Sequence, residues 1–97
     1  MEVNIPLKYQ NDIEIATNLL KTEGCESVYL FGSLVTGKTH RNSDIDIGIK
    51  GLPPGKFFNV YAKLDNCLSN NVDLVDFDAN YKFYALLSSL GEVVEIG

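Results

Sequence analysis

The clearest hydrophobic pattern in the chain is a strict alternation over residues 44–50. Isoleucine occupies positions 45, 47 and 49, and the positions between them hold Asp44, Asp46 and Gly48. Because side chains along a β-strand point alternately to its two faces, this pattern predicts a strand with one buried, apolar face. The other face of that strand would present two carboxylates side by side.

Apolar spacing also predicts the elements that precede this strand. A first helix is predicted from Asn11, as its cap, to Gly24, because apolar residues recur between them at helical intervals. Residues 27–31 are short, β-branched and aromatic, which is typical of a buried strand. A polar, glycine-bearing loop is expected from Gly32 to Ser43.

The second half of the chain repeats the alternation of helix and strand. Apolar residues from Phe57 to Leu68 lie at helical spacing after a Pro-Pro-Gly break. Three shorter elements are then predicted: a strand over 72–77, a helix capped by Asn80, and a closing strand over 93–96. The order α-β-loop-β-α-β-α-β predicts an α/β (α+β) fold, with helices packed on a sheet, in one domain spanning residues 1–97. It leaves the relative direction of the second and third strands open.

Size and composition argue against several classes of protein. The 97 residues are 45% hydrophobic and 22% charged, which is typical of one folded domain. No apolar run approaches the roughly 20 residues that a membrane helix needs, and the amino terminus lacks a secretory pattern, so we expect a cytoplasmic protein without membrane contact. The net charge of −5 argues against strong direct binding of nucleic acid.

Cysteine and histidine are scarce. Cys25 and Cys67 do not have the spacing of metal ligands, and both are expected to be reduced and buried. His40 is the only histidine. A Ser-His-Asp catalytic set is therefore disfavoured, and a histidine-rich metal site is excluded.

Residues 32–39, Gly-Ser-Leu-Val-Thr-Gly-Lys-Thr, match the P-loop pattern GxxxxGK[ST] and follow a predicted strand. In a P-loop, however, the Lys-Thr pair opens a helix whose amino terminus faces the phosphates. Only residues 40–43 separate Thr39 from the next predicted strand, which leaves no room for that helix. We therefore reject the P-loop interpretation. An aspartyl-phosphate phosphatase is rejected as well, because its nucleophile follows an apolar strand and Asp44 follows Arg-Asn-Ser.

The acidic face of the predicted strand is suited to a divalent cation. Asp44 and Asp46 lie at i and i+2 and can ligate one ion together, and Gly48 on the same face is expected to leave space for a ligand. Two carboxylates about 4 Å apart repel by roughly 4 kcal/mol at an effective dielectric constant near 20. A cation removes that repulsion, and hard oxygen ligands favour Mg²⁺ or Mn²⁺.

A third carboxylate is expected from the strand over residues 72–77. Alternation places Asp73 on one face of that strand and Asp76 on the other. Periodicity alone does not choose between them. The same residues could instead be solvated charges on an edge strand, where such charges prevent aggregation and no functional site is needed.

The spacing of these motifs resembles one known superfamily. Gly32-Ser33, ten intervening residues and then Asp44-x-Asp46, with an apolar strand before the first pair and Ser43 before Asp44, resemble the signature of polymerase-β-like nucleotidyltransferases. The short length is similar to that of the minimal nucleotidyltransferases, the antitoxin-type partners of HEPN-domain proteins. The resemblance runs from the first helix to the closing strand and implies a small domain with a mixed sheet packed with helices.

The resemblance implies roles for individual residues. Asp44, Asp46 and Asp73 would be the catalytic carboxylates and the metal ligands, with Asp73 also the general base and Asp76 the fallback. The implied nucleotide contacts are Gly32 and Ser33, as the triphosphate hook with amides of the following turn, together with Ser43 and Lys38. Many relatives carry a basic residue where this chain has Thr36, so Lys38 or Arg41 would have to supply that charge.

The activity implied by the resemblance is metal-dependent transfer of a nucleoside monophosphate. AMP from ATP would pass to a hydroxyl of a partner protein, a HEPN toxin. The alternative is a non-catalytic module that binds nucleotide or partner and neutralises a HEPN ribonuclease by occlusion. The segment over residues 81–96 is rich in apolar groups and is expected to form an association surface, for the partner or for a homo-oligomer.

Overall fold

The computed structural model describes residues 5–38 and 43–97 as one four-stranded mixed sheet with helices on both faces. Thr39, His40 and Arg41 lie outside the described residues. In chain order the elements are α1 (Leu7–Thr22), β1 (Ser27–Phe31), α2 (Ser33–Thr36), β2 (Ile45–Lys50), α3 (Phe57–Cys67), β3 (Val72–Asp76), α4 (Tyr81–Leu90) and β4 (Val93–Glu95). The mixed α/β fold expected from the sequence is confirmed.

The strand order in the sheet is β3-β2-β1-β4. β1 pairs antiparallel with both β2 and β4, whereas β2 and β3 are parallel. The crossover through α3 allows the parallel pairing, because parallel neighbours need a connection of about a dozen residues or more. The strand direction that the sequence left open is therefore settled, and β3 lies at one edge of the sheet.

Each face of the sheet carries its own core. The isoleucines of β2 are fully buried beneath α1 and α3, in a core that also takes Val28 and Leu30 from β1. The next residues of β1 point the other way, and Tyr29 and Phe31 join Phe77 and Leu87 beneath α4. Alternation along the strands thus determines which helix covers each residue.

The first helix begins earlier than the sequence pattern predicted. Asn11 does not cap it, because the helix starts at Leu7 with Pro6 at the N-cap position. Tyr9 explains the difference, since it is buried with 1% of its surface exposed and extends the apolar face by one turn. The predicted loop from Gly32 to Ser43 also contains the short helix α2.

The two cysteines differ in their surroundings. Cys25 is buried as expected, but Cys67 is exposed at the end of α3, so the prediction that both are buried is wrong for Cys67. Both thiols are free. Burial, first, and then the charge of Asp76 raise the pKa of Cys25 to about 11, which keeps it a neutral core residue.

No helix among residues 5–38 and 43–97 is long and apolar enough to cross a membrane.

Candidate nucleotidyltransferase site

Three chain segments meet at one end of the sheet. Phe31, the last residue of β1, pairs with Asp46 of β2, and Asp46 in turn pairs with Asp73 of β3. The antiparallel and parallel pairings therefore bring the end of β1 to the starts of β2 and β3. Gly32, which follows Phe31 directly, is placed against Asp46 by this register.

The carboxylate of Asp46 is the electrostatic centre of this site. It is half-buried, and among the described residues no donor forms a hydrogen bond with it. Burial, followed by the charges of Asp73 and Asp44, raises the pKa of Asp46 to about 6. The structure thus concentrates negative charge at a place where none of the residues 5–38 and 43–97 donates a hydrogen bond to the Asp46 carboxylate.

The two alternatives for the third carboxylate occupy different environments. Asp73 pairs with Asp46, so the two side chains project from the same face of the sheet. Asp76 points to the opposite face, and its Oδ1 accepts hydrogen bonds from the backbone N–H groups of Asp78 (2.9 Å) and Ala79 (3.3 Å). Asp76 therefore holds the turn after β3, and Asp73 is the carboxylate beside Asp46.

A divalent cation suits this set of oxygen ligands. Among residues 5–38 and 43–97, no three Asp, Glu, His or Cys side chains are grouped closely enough to hold a metal as they stand. Mg²⁺, however, commonly takes one or two protein carboxylates and completes its shell with water and substrate phosphates. Asp46, with a raised pKa and like charges on both sides, is a carboxylate whose repulsion a cation would relieve.

The backbone at Gly32 approaches Asp46 too closely for any side chain. Gly32 has φ +76° and ψ −149°, a conformation that is essentially limited to glycine. A Cβ atom built there would lie 2.9 Å from Asp46 Cγ and closer still to Oδ2. The glycine therefore permits the end of β1 to reach the acidic residues.

The turn after Gly32 differs from the sequence expectation in its hydrogen bonding. The backbone N–H groups of Val35 and Thr36 both donate to the Gly32 carbonyl at 3.1 Å, which closes the short helix α2. Those two amides are therefore engaged within the turn and do not point at an anion. Lys38 follows the helix at an exposed position, whereas a P-loop lysine precedes its helix.

Ser33 and Ser43 flank the segment between β1 and β2. Ser33 is the first residue of α2 and is partly exposed. Ser43 is buried, and its carbonyl oxygen accepts a hydrogen bond from the Tyr9 hydroxyl at 3.1 Å. Contacts of these serines with a nucleotide stay predictions.

Gly48 does not leave the space that was expected for a ligand. The ring of Phe77 fills it, and a Cβ atom at Gly48 would lie 2.6 Å from Phe77 Cδ2 and closer still to two other ring carbons. Phe77 is fully buried. Gly48 is therefore a packing position beside the site, and the expectation of a vacancy there is wrong.

An apolar cavity of about 530 Å³ lies along β3. It is lined by Leu74, Val75 and Asp76 of the strand region and by aromatic residues from the starts of α3 and α4. Asp76, the fallback for the third carboxylate, is the one predicted site residue among the residues that line it. Asp44, Asp46 and Asp73 do not line it, so the cavity is separate from the candidate carboxylates.

Several supporting residues were not found from the sequence. Asp12 of α1 is buried, and its carboxylate accepts hydrogen bonds from the backbone of Ser69 (3.0 Å) and Asn70 (2.7 Å), just before β3. Burial tends to raise its pKa, but these bonds outweigh burial and the net pKa of Asp12 is lowered. Tyr61 of α3 donates to the Val72 carbonyl at 3.1 Å. Such contacts join residues far apart in the chain and leave no local sequence signal.

Comparison with known proteins agrees with this geometry. The family model described as "Polymerase beta, Nucleotidyltransferase" matches residues 11–93. The protein adenylyltransferase MntA of Shewanella oneidensis is 44% identical over 52 residues, which is 50% of this chain and 37% of that protein. The chain thus spans little more than a third of that curated relative.

Solved structures give the same result. A toxin–antitoxin crystal structure with AMP-PNP is 37% identical, with a TM-score of 0.57, over 70% of this chain and 58% of that one. A mutant MntA toxin–antitoxin complex is 26% identical, with a TM-score of 0.66, over 91% of this chain and 71% of that one. Because the family model covers most of the chain, including the strands that carry Asp46 and Asp73, the chain belongs to the polymerase beta nucleotidyltransferase family.

Proposed function

We propose that this chain is the nucleotidyltransferase unit of an antitoxin that transfers AMP from ATP to a hydroxyl group of a HEPN-domain toxin. The observation that carries the proposal is the pairing of Asp46 with Asp73 directly beside Gly32, with the pKa of Asp46 raised to about 6. Relatives of this chain include a protein adenylyltransferase and a toxin–antitoxin complex with an ATP analogue, which supports the choice of nucleotide and acceptor.

In this proposal Asp44, Asp46 and Asp73 hold the divalent cation, Mg²⁺ or Mn²⁺. When bound, the cation neutralises the charge of the nucleotide phosphates and of these carboxylates. Gly32 is the proposed backbone contact of the triphosphate, because its lack of a side chain lets the backbone lie against the Asp46 carboxylate that would hold the cation. Ser33, Ser43 and Lys38 are the further proposed nucleotide contacts.

The transfer itself is a displacement at the α-phosphorus of ATP. The acceptor oxygen forms a bond to that phosphorus, the bond to the oxygen bridging the β-phosphate breaks, and pyrophosphate leaves. Asp73 accepts the proton of the acceptor hydroxyl. Its exposed position at the edge strand supports this role, since an acceptor on another protein must reach it.

The acceptor is proposed to be a HEPN-domain protein because the chain has few basic groups with which to hold RNA. A net charge of −5 suits contact with a basic ribonuclease through complementary potentials. ATP is supplied in the cytoplasm, and we place the reaction there.

The test combines this chain, Mg²⁺, ATP and a HEPN-domain protein, taken from the neighbouring gene where that gene encodes one, and measures the intact mass of both proteins. We expect the HEPN protein to gain one or more adenylyl groups with wild type and with Glu14→Gln, which removes an exposed charge from α1. We expect no gain with Asp44→Asn or Asp73→Asn.

A tight complex without any mass change would contradict transfer and favour the alternative function, neutralisation of a HEPN ribonuclease by occlusion. If the two proteins form no complex and no mass changes, both functions are overturned.

A further inference from the structure

The first of two similar hydrogen bonds lies where β2 begins. Tyr9, on α1, has only 1% of its surface exposed, and its hydroxyl donates to the backbone carbonyl of Ser43 at 3.1 Å. Ser43 directly precedes Asp44, and both residues lie before β2 starts at Ile45. Asp44 therefore lies outside the hydrogen-bonded ladder of the sheet. The hydrogen bond from Tyr9 fixes the backbone of Ser43, the residue immediately before Asp44.

The second bond lies on β3. Tyr61, on α3, donates to the carbonyl of Val72, also at 3.1 Å, and its hydroxyl lies close to the backbone N–H of Leu74 and to the side chain of Asp73. Val72 and Leu74 are the two neighbours of Asp73. Because β3 is the edge strand, the groups of these neighbours that face away from β2 have no strand beside them, and the tyrosine takes that place.

The hydroxyl of Tyr61 remains a proton donor in this position. Burial, first, and also the nearby charge of Asp73 raise the pKa of Tyr61 above its ordinary value of 10.0. The hydroxyl is therefore neutral at physiological pH and adds no charge to the acidic site. The phenol of Tyr61 thus contacts the backbone of β3 on both sides of Asp73 and lies beside the Asp73 carboxylate.

We propose that Tyr9 and Tyr61 are positioning residues for the carboxylates of Asp44 and Asp73, each acting through the backbone of the residue that precedes the aspartate. This inference rests on the proposed function of the site. The physical need for it comes from repulsion, because Asp73 pairs with Asp46 in the sheet and Asp44 lies two residues before Asp46, so that like charges drive the carboxylates apart before a cation binds. Fixing the backbone beside Asp44 and beside Asp73 limits how far their carboxylates move away from Asp46. It therefore reduces the free-energy cost of bringing the three carboxylates together when a cation binds.

The test compares Tyr9→Phe and Tyr61→Phe, which remove one oxygen and keep the aromatic ring. Binding of Mn²⁺ in the presence of AMP-PNP is measured through the electron paramagnetic resonance signal of free Mn²⁺. We expect each variant to weaken Mn²⁺ binding by about tenfold, as the loss of groups that orient metal ligands typically does. In the transfer assay, kcat should fall while KM for ATP changes little.

Thr17→Val is the matched control. The Thr17 hydroxyl also donates to a backbone carbonyl, that of Ile13 at 2.7 Å, but within α1 and without contact with the carboxylates. Its loss should lower thermal stability and leave Mn²⁺ binding unchanged. If the tyrosines only stabilise the fold, their variants will behave as Thr17→Val does, and the proposal is overturned.

A double-mutant cycle identifies the aspartate through which each tyrosine acts. Tyr61→Phe should cause no further loss of Mn²⁺ affinity when Asp73 is already asparagine, and Tyr9→Phe should cause none when Asp44 is asparagine. Equal losses in both backgrounds would contradict positioning. Tyr61 is the more accessible tyrosine, so its variant keeps the test decisive if Tyr9→Phe does not fold. If wild type binds no Mn²⁺ with AMP-PNP, the proposed function fails, and the positioning role fails with it.

Discussion

Two independent constraints require glycine at position 32, one from its backbone conformation and one from its contact with Asp46. Its backbone has φ +76° with ψ −149°, and its Cα lies against the side chain of Asp46. The first constraint concerns the chain itself, and the second concerns the position of a carboxylate. A substitution can address the second effect because Gly37 also has a positive φ, with a ψ of 10°, and has no carboxylate beside it.

Gly32→Ala is expected to destabilise the protein and to displace Asp46. The added methyl group would meet Asp46 Cγ at 2.9 Å, in addition to the cost of this backbone conformation, which is about 1–3 kcal/mol for a residue with a Cβ. Gly37→Ala is the control, since Gly37 has φ +78° and nothing within 4 Å of its added Cβ. Urea denaturation should show a larger loss for Gly32→Ala, and nucleotide binding should fall only in that variant. Equal losses in both would contradict the close approach to Asp46.

The raised pKa of Asp46 predicts how stability without metal depends on pH. The native state keeps a proton on Asp46 up to about pH 6, whereas an unfolded aspartate ionises near 3.8. The native state therefore binds more protons between these values, and this group's contribution to the free energy of unfolding falls as pH rises through that window.

Asp46→Asn removes that dependence. The variant should match wild type below about pH 4 and exceed it at pH 7 by on the order of 1 kcal/mol, a value reduced for the partial exposure of the carboxylate. Chemical denaturation in EDTA at several pH values measures the difference. Asp65→Asn, which also removes one exposed carboxylate, is the control, and it should leave the pH dependence that Asp46 contributes in place. If the free energy of unfolding of wild type instead rises relative to that of Asp46→Asn between pH 4 and 7, the pKa of Asp46 is not raised.

At the scale of residues, the sequence identified the acidic positions but not what surrounds them. Asp44 and Asp46 alternate with isoleucines, and that local pattern predicted both on one face of a strand, whereas in the structure Asp46 lies in β2 and Asp44 lies just before β2 begins. Periodicity treats Asp73 and Asp76 alike, the resemblance to the family favoured Asp73, and the register between β2 and β3 places Asp73 beside Asp46. Tyr9 and Tyr61 could not be found at all, because their partners lie 34 and 11 residues away in the chain.

At the scale of elements, the site lies where β1 ends and where β2 and β3 begin, since β1 is antiparallel to β2 and β2 is parallel to β3. β1 runs toward the site and β2 and β3 run away from it, so one loop and two strand starts converge. The sequence predicted these strands to within one or two residues, because their apolar runs are short and bounded by turn residues. It misplaced the start of α1, since Asn11 is a strong capping residue and the buried Tyr9 lies before it.

The contact between Gly48 and Phe77 couples β2 to the turn after β3. Gly48→Ala should cost more than 2 kcal/mol, at the upper end of overpacking, because the new methyl group would enter the buried Phe77 ring. Phe77→Leu alone should be destabilising as well. The double variant should lose less free energy of unfolding than the two single losses together, since the smaller side chain leaves room for the methyl group. Equilibrium unfolding in urea gives the four free energies, and simple additivity would contradict the contact.

At the scale of the whole molecule, α4 both completes a core and leaves an apolar surface. Phe83, Tyr84 and Leu87 turn toward the aromatic cluster on the sheet, while Tyr81, Leu86 and Leu90 are 55–64% exposed. An apolar surface, as expected from the sequence of this segment, is thus present along one helix, and its use in association with a partner stays a prediction. Composition alone indicated its apolar content, but the exposed face depends on how the helix rotates against β1 and on contacts that the sequence does not state. A homo-oligomer formed through this face stays a prediction.

Binding of nucleotide and metal should be visible as stabilisation of the entire domain. A ligand that binds only the native state at one hundred times its Kd adds about 2.7 kcal/mol to the free energy of unfolding. For a domain of this size that corresponds to a rise in Tm on the order of 10 °C. We expect Mg²⁺ with AMP-PNP to produce this rise in wild type, and either component alone to produce much less, because the acidic site repels phosphate until a cation is present.

The same measurement ranks the two candidate anion contacts. Ser33 follows Gly32 at the end of β1, next to Asp46, whereas Lys38 lies beyond α2 at an exposed position. Ser33→Ala should therefore lose more of the rise in Tm than Lys38→Ala, and Asp46→Asn should lose most of it. The melting temperature of each variant without ligand serves as its own reference, so a general loss of stability does not affect the ranking. In a P-loop the lysine contacts the β- and γ-phosphates. Complete loss in Lys38→Ala with little change in Ser33→Ala would therefore contradict the site built around Gly32 and Asp46.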